Sequence, residues 1–126
     1  MSEFLFKKLE IYKISLELSN RTWEMVNHWD KFAKDTLGKQ LVRSADSICL
    51  NICEGYGRYS YKDKKLFYFY SRGSLYEAHA GMTMALKRGL ISQQEFERHI
   101  GFIQTLAIKL NAFINSVGRN QTLQNH

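Results

Sequence analysis

Apolar residues recur at helical spacing through four long segments of this chain, and short polar breaks separate them. In the first segment, about residues 6–28, Leu9, Tyr12, Leu16, Trp23 and Val26 form one stripe, with Ser19 as its weak point. Ile11, Ile14, Leu18 and Met25 form a second stripe beside it. One buried stripe satisfies an ordinary surface helix, so two predict burial on more than one side. The stretch "WDKFAKDT", Trp29 to Thr36, interrupts the pattern and reads as a polar connection. The second helix, about 37–56, puts Leu41, Ala45, Ile48 and Ile52 on one face, with Val42, Cys49, Cys53 and Tyr56 close by. Gly55 and Gly57 stand where a helix commonly ends on a positive φ.

Ser60 with Asp63 three residues on is a capping-box pattern that starts the third helix, about 61–88. Its "LFYFY" end, Leu66 to Tyr70, is aromatic. The small residues Gly73, Ser74, Ala78, Gly81 and Ala85 that follow let another helix come close. Lys87, Arg88 and Gly89 make a conventional C-terminus, and Ser92 with Glu95 opens the next helix at once. So short a link predicts an antiparallel hairpin. The fourth helix, about 93–117, carries Phe96, Ile100, Ile103, Ala107, Leu110, Ile114 and Val117, with Phe102, Leu106 and Phe113 widening the stripe. The chain holds no proline to break these segments. The expected fold is all-α: an antiparallel up-down-up-down four-helix bundle over residues 1–118, followed by a polar tail, 119–126.

Composition refines this only slightly. The 126 residues suffice for one domain with its own core, and a 44% hydrophobic, 24% charged chain is not disordered. No apolar run approaches the roughly 18 residues of a membrane span. The opening Met-Ser-Glu-Phe lacks the basic-then-apolar pattern of a signal peptide, so the expectation is a cytoplasmic protein with no membrane contact and two reduced cysteines. Net charge is +6 and falls unevenly: residues 1–36 balance, whereas 37–65 carry six basic and three acidic side chains. That surplus favours an anionic partner.

Two constellations carry candidate chemistry. The first is "EGYGRYSYKDKK", Glu54 to Lys65, where Arg58, Lys62, Lys64 and Lys65 crowd a helix start whose free N–H groups already carry positive potential. One reading is a phosphate site with Tyr59 and Tyr61 stacking on bases. The other is a solvated, lysine-rich loop, since cations against the dipole cost only about 0.3–1 kcal/mol each when exposed. The second constellation is a polar stripe on the second helix: Gln40, Arg43, Ser47, Asn51 and Glu54, continued by Arg58. It reads either as the solvent face or, being poor in Lys and Glu, as a hydrogen-bonded seam between helices or subunits.

Catalysis and metal binding find less support. Cys49 and Cys53 share a helical face, but no further ligands stand beside them in sequence, and buried packing suits free cysteines. A bundle di-iron site needs Glu-x-x-His pairs. The residues three before His28, His79, His99 and His126 are instead Met25, Tyr76, Phe96 and Leu123. "GYG" lacks the preceding strand and Gly-Lys-Ser/Thr of a phosphate-binding loop. No Ser or Cys has a convincing His and acid, and Glu77 stands alone in the third helix, so the expectation is no catalytic residue, no metal and no cofactor.

"FKKLEIYKISLEL" (Phe6–Leu18), "QLVRSADSICLNICEGYGRYSYKDKKLFYFYSRGSLYEAH" (Gln40–His79) and "GLISQQEFE" (Gly89–Glu97) resemble the bacterial four-helix bundle family also called the 23S rRNA intervening-sequence or S23 family. The resemblance runs from about Phe6 to Val117 and is most specific over Gln40–Gly57 and at Gly73, Ser74 and Glu77. The chain departs from the family pattern at Cys49, commonly Pro, and at His79, commonly Glu. The resemblance implies an antiparallel bundle that forms five-fold rings, hence a homopentamer. It also implies kinship in shape with the accessory protein of diversity-generating retroelements, which binds nucleic acid and a reverse transcriptase. The family name records where the gene can sit, within rRNA operons. Together these readings predict a non-enzymatic homo-oligomer that binds RNA, DNA or a ribonucleoprotein through the basic loop. The alternative is a structural or protein-interaction module without nucleic-acid affinity.

Overall fold

The first expected helix divides in two in the computed structural model, which describes residues 2–118. Ser2–Lys8 forms a 3-10 segment kinked at Phe4, and the extended Leu9 separates it from α1, Glu10–Asn27. The polar tail 119–126, with its Asn120-Gln121-Thr122 sequon, lies outside the described residues.

From Lys31 onward the connection at 29–36 is helical, which corrects the expectation of a polar break. Asp30 accepts a hydrogen bond from the Ala33 amide and so caps a short helix, α2, Lys31–Ala33. A π-turn over Lys34–Gly38 then runs directly into α3, Lys39–Tyr56. Trp29, Ala33 and Leu37 recur every fourth residue and are all buried. That apolar stripe holds the segment against the bundle despite its charged neighbours. Gly38 sits where a Cβ would fall 2.6 Å from Val26 Cγ1, so only bare backbone lets the π-turn lie this close to α1.

Two further long helices complete the molecule, α4, Tyr61–Lys87, and α5, Gln93–Ser116. Ser60 caps α4 by accepting from the Asp63 amide, and Ser92 with Glu95 forms a full capping box on α5. Gly89, at φ +73°, makes the turn between them. Neither Gly55 nor Gly57 has positive φ, contrary to expectation. Gly55 matters for another reason: a Cβ there would meet the Tyr68 ring at 2.7 Å, so it sets how closely α3 and α4 approach.

Paired contacts fix the topology. Ser71 Oγ on α4 donates to the Ile48 carbonyl on α3, while Gly81 further along α4 meets Leu41 earlier on α3. Tyr68 stacks edge-on with Phe113, and Arg72 Nη1 donates to Asn111 Oδ1 earlier on α5. Glu10 pairs with Lys109, and Thr22 meets His99. Each pair runs in opposite chain directions, so the four long helices form an all-α antiparallel four-helix bundle. No strand occurs among the described residues.

The inner face of α1 departs from the pattern. Ile11, Ser15, Leu18, Ser19, Thr22 and Val26 are buried, whereas Leu16 and Trp23 of the expected stripe are exposed. Small hydroxyl residues let α1 lie close to its neighbours, and each hydroxyl is satisfied. Ser15 donates to the Tyr12 carbonyl, Thr22 to the Leu18 carbonyl, and Ser19 to the Asp46 carboxylate. Buried hydroxyls with partners avoid the desolvation penalty of orphaned ones. On α4, Ala78, Gly81 and Ala85 do face the bundle, but Gly73 opens to solvent.

Candidate functional site

The α3–α4 turn uses half of its candidate residues for its own construction. Arg58 Nη2 pairs with Glu54 Oε2 at 2.9 Å, and its guanidinium lies 4.4 Å from the Phe67 ring centre. Lys64 Nζ donates to the Tyr56 carbonyl at 2.7 Å. That carbonyl belongs to the last turn of α3, where helix ends want cations. Lys64 therefore begins one helix in sequence but serves the end of another in space. Burial lowers its pKa from the ordinary lysine value. Tyr61 leans on the end of α5 at Gly118.

The other half faces water. Tyr59 is fully exposed, Lys62 is exposed and Lys65 half-buried. Neither lysine has an ion pair or side-chain hydrogen bond among the described residues. The turn thus offers one free aromatic ring with cations on both sides.

The polar stripe does not run between helices of one chain. Gln40, Arg43 and Glu54 are exposed, and Ser47 and Asn51 are half-buried, with Asn51 Nδ2 donating to the Ser47 carbonyl. The buried polar seam consists of other residues, Ser15, Ser19, Thr22, Ser44, Ser71 and His99, of which the sequence stripe on α1 includes only Ser19. The signal was present in the i, i+4, i+7 spacing of Ser15, Ser19 and Thr22, which matches a core stripe as well as Leu16 and Trp23 do.

His99 is 7% exposed and lies at the back of a cleft of about 250 Å³ between α1 and α5. Arg21, Glu24, His28, Glu95 and Phe102 line the same cleft. Burial, helped by the nearby Arg21 charge, pushes its pKa down to about 4, so the ring is neutral at pH 7. Both cysteines are silent by the same physics. Burial raises the Cys49 thiol, and burial together with Cys49 pushes Cys53 up to about 11. Neither is a thiolate nucleophile near neutral pH. Among the described residues, no three metal-binding side chains come together.

A second concavity, about 400 Å³, opens beside the π-turn. Trp23, Val26 and Val42 supply apolar walls and Gly38 lines it as well, with Lys34, Lys39 and Arg43 among the other lining residues. Asp35 lines it too, but its carboxylate pairs with Lys31 at 2.9 Å.

No helix among the described residues is long and apolar enough to cross a membrane. Among curated proteins none matches the chain. Among solved structures, the chain is similar to a Bacteroides thetaiotaomicron VPI-5482 protein described as of unknown function and from the S23 ribosomal protein family. The match has a TM-score of 0.76 and 20% identity, covering 84% of this chain and 96% of that one. At that identity the likeness speaks for the fold alone. The family profile of the 23S rRNA-intervening sequence protein matches residues 7–112, the whole bundle up to the last turn of α5. The chain belongs to the 23S rRNA-intervening sequence protein family.

Proposed function

We propose that this chain is a non-catalytic helical bundle that assembles with copies of itself and presents the α3–α4 turn to single-stranded nucleic acid. Tyr59 carries the reading. A tyrosine wholly in water, with Arg58 before it and Lys62 shortly after, forfeits its own burial and offers a stacking face between cations. Base–aromatic stacking is worth about 1–3 kcal/mol per base, and lysines add phosphate contacts. Self-association rests on large apolar side chains left in water, above all Phe32 at 78%, Ile108 at 73% and Leu50 at 65%. They lie on three different helices, α2, α5 and α3. Apolar side chains spread over several helices suit head-to-tail contacts, which can close into rings. Five-fold closure is supported by the family resemblance.

The test is fluorescence anisotropy on labelled single-stranded RNA and DNA across a salt series. Tyr59→Ala with Lys62→Gln and Lys65→Gln should weaken binding and lower the salt slope by about 0.7 for each phosphate no longer neutralised. Equal, salt-insensitive binding by wild type and variant overturns this reading. A second reading then takes its place, a protein-interaction module without nucleic-acid affinity. It is favoured by one observation: Arg58 and Lys64 are already held by Glu54, Phe67 and Tyr56.

A further inference from the structure

The groove beside the π-turn has features that the bundle itself does not need. Its volume of about 400 Å³ falls within the roughly 300–1,000 Å³ of pockets that hold small organic ligands. Trp23, whose ring borders it, is the more exposed of the two tryptophans, whereas Trp29 is buried behind Gly38. A core does not require an indole in water, and large exposed aromatics mark contact sites.

Charge narrows the choice of occupant. Lys34, Lys39 and Arg43 line the groove, and none makes an ion pair or side-chain hydrogen bond among the described residues. The one carboxylate on the groove, Asp35, pairs with Lys31 and also feels Lys39 and Lys34, so positive charge still outweighs it there. The occupant therefore combines a flat apolar ring with a compact negative group. A second copy of this chain, at net +6, is a poorer electrostatic match than a phosphate.

Backbone geometry keeps the space open. The π-turn places Lys34 and Lys39 five residues apart across one widened turn, with the Lys39 amide bonded to the Lys34 carbonyl. Such bulges recur at functional sites because they re-aim side chains that a regular helix would separate. Gly38 contributes no side chain between them, and a Cβ there would collide with Val26.

We propose that this groove binds one nucleotide, its base stacked on Trp23 and its phosphate held by Lys34, Lys39 and Arg43. A free nucleoside monophosphate and a nucleotide unit within a single strand present the same chemistry. The site lies at the N-terminal end of α3, whereas the α3–α4 turn lies at its C-terminal end, so the two readings stand separately. Arg43, exposed on the polar stripe, acquires a role here that needs no neighbouring helix.

The experiment titrates the full chain with adenosine monophosphate, adenosine, inorganic phosphate and a short oligouridine, read by tryptophan fluorescence and calorimetry. The monophosphate should quench Trp23 saturably, and adenosine alone should bind about tenfold or more weaker, for want of charge-assisted bonds. Lys34→Gln with Lys39→Gln and Arg43→Gln, all surface changes, should remove that difference and the salt dependence. Trp23→Phe should retain binding, and Trp23→Ala should reduce the nucleotide to the affinity of phosphate. In a chain carrying Tyr59→Ala, Lys62→Gln and Lys65→Gln, tighter oligouridine than monophosphate binding assigns the groove to a strand, and the reverse order to a free nucleotide. Tyr59→Ala with Lys62→Gln and Lys65→Gln should leave monophosphate binding unchanged, which separates this site from the turn. Absence of saturable binding by either ligand overturns the proposal. A Trp23 signal that follows protein concentration alone also overturns it, and makes the groove a contact between copies.

Discussion

Thr22 Oγ1 lies 2.9 Å from His99 Nε2, and the direction of that bond is fixed by a third group. The hydroxyl already donates to the Leu18 carbonyl at 2.8 Å, so it has no second proton to give. His99 must donate through Nε2, which leaves Nδ1 as an acceptor lone pair. A proton on Nδ1 would charge the buried ring beside Arg21, hence the folded pKa of about 4.

An unfolded histidine titrates near 6.5, so between about pH 6.5 and 4 the unfolded chain binds a proton that the folded chain refuses. Stability from this group is fully present above the unfolded value, falls as pH drops through the window, and is wholly lost below about pH 4. Its size is about 3 kcal/mol at most. Urea melts at pH 7.5, 5.5 and 4.5 should show this slope, and His99→Gln should flatten it. Thr22→Val should cost about 1–3 kcal/mol, because the Nε2–H then has no acceptor. An unchanged pH profile in His99→Gln would remove His99 as its source.

A buried glycine and an exposed one should respond with opposite signs. Gly55→Ala pushes a methyl into the Tyr68 ring and toward the Lys64 carbonyl, 3.1 Å away. Overpacking of that kind costs about 1–3 kcal/mol. Gly73→Ala meets nothing within 4 Å in the single chain and should gain about 0.5–1 kcal/mol from helix propensity. Thermal melts of both variants decide this. A destabilised Gly73→Ala would instead place another subunit against α4.

Self-association has its own test. Light scattering at micromolar concentration should show an oligomer, and Phe32→Ser, Leu50→Ser or Ile108→Ser should lower its mass without unfolding the chain. Glu54→Ala removes only the exposed pair with Arg58, a change of about 0–1 kcal/mol in an isolated chain. A larger loss, or a shifted elution volume, would put the polar stripe at a subunit boundary.

The fold was largely legible because α3 and α5 bury single apolar stripes and the caps at Ser60 and Ser92 use local chemistry. The inner face of α1 was not, since periodicity alone cannot choose between a stripe through Leu16 and Trp23 and one through Ser15 and Thr22, with Ser19 common to both. Hydropathy favours the first, and the close approach of the helices favours the second. The 29–36 segment differs from expectation for a related reason: its charges hide the four-residue recurrence of Trp29, Ala33 and Leu37. At the α3–α4 turn the sequence displays the cations but not the partners they make within the chain. Nothing in the order "YKDKK" says that the Lys64 ammonium returns to Tyr56.

That return separates Lys64 from its neighbours, and the separation can be measured. Lys64→Met keeps the aliphatic stem but leaves the Tyr56 carbonyl without its ammonium donor at the end of α3. It should cost about 0.5–1.5 kcal/mol in a urea melt. It should change nucleic-acid affinity little, because the Lys64 charge is already engaged and partly withdrawn from water. Lys62→Gln and Lys65→Gln should do the reverse, leaving the melt within about 0.5 kcal/mol of wild type while weakening binding and flattening its salt slope. If Lys64→Met instead weakens binding as much as the pair does and leaves the melt unchanged, Lys64 faces the partner, and its bond to Tyr56 gives way when the partner arrives.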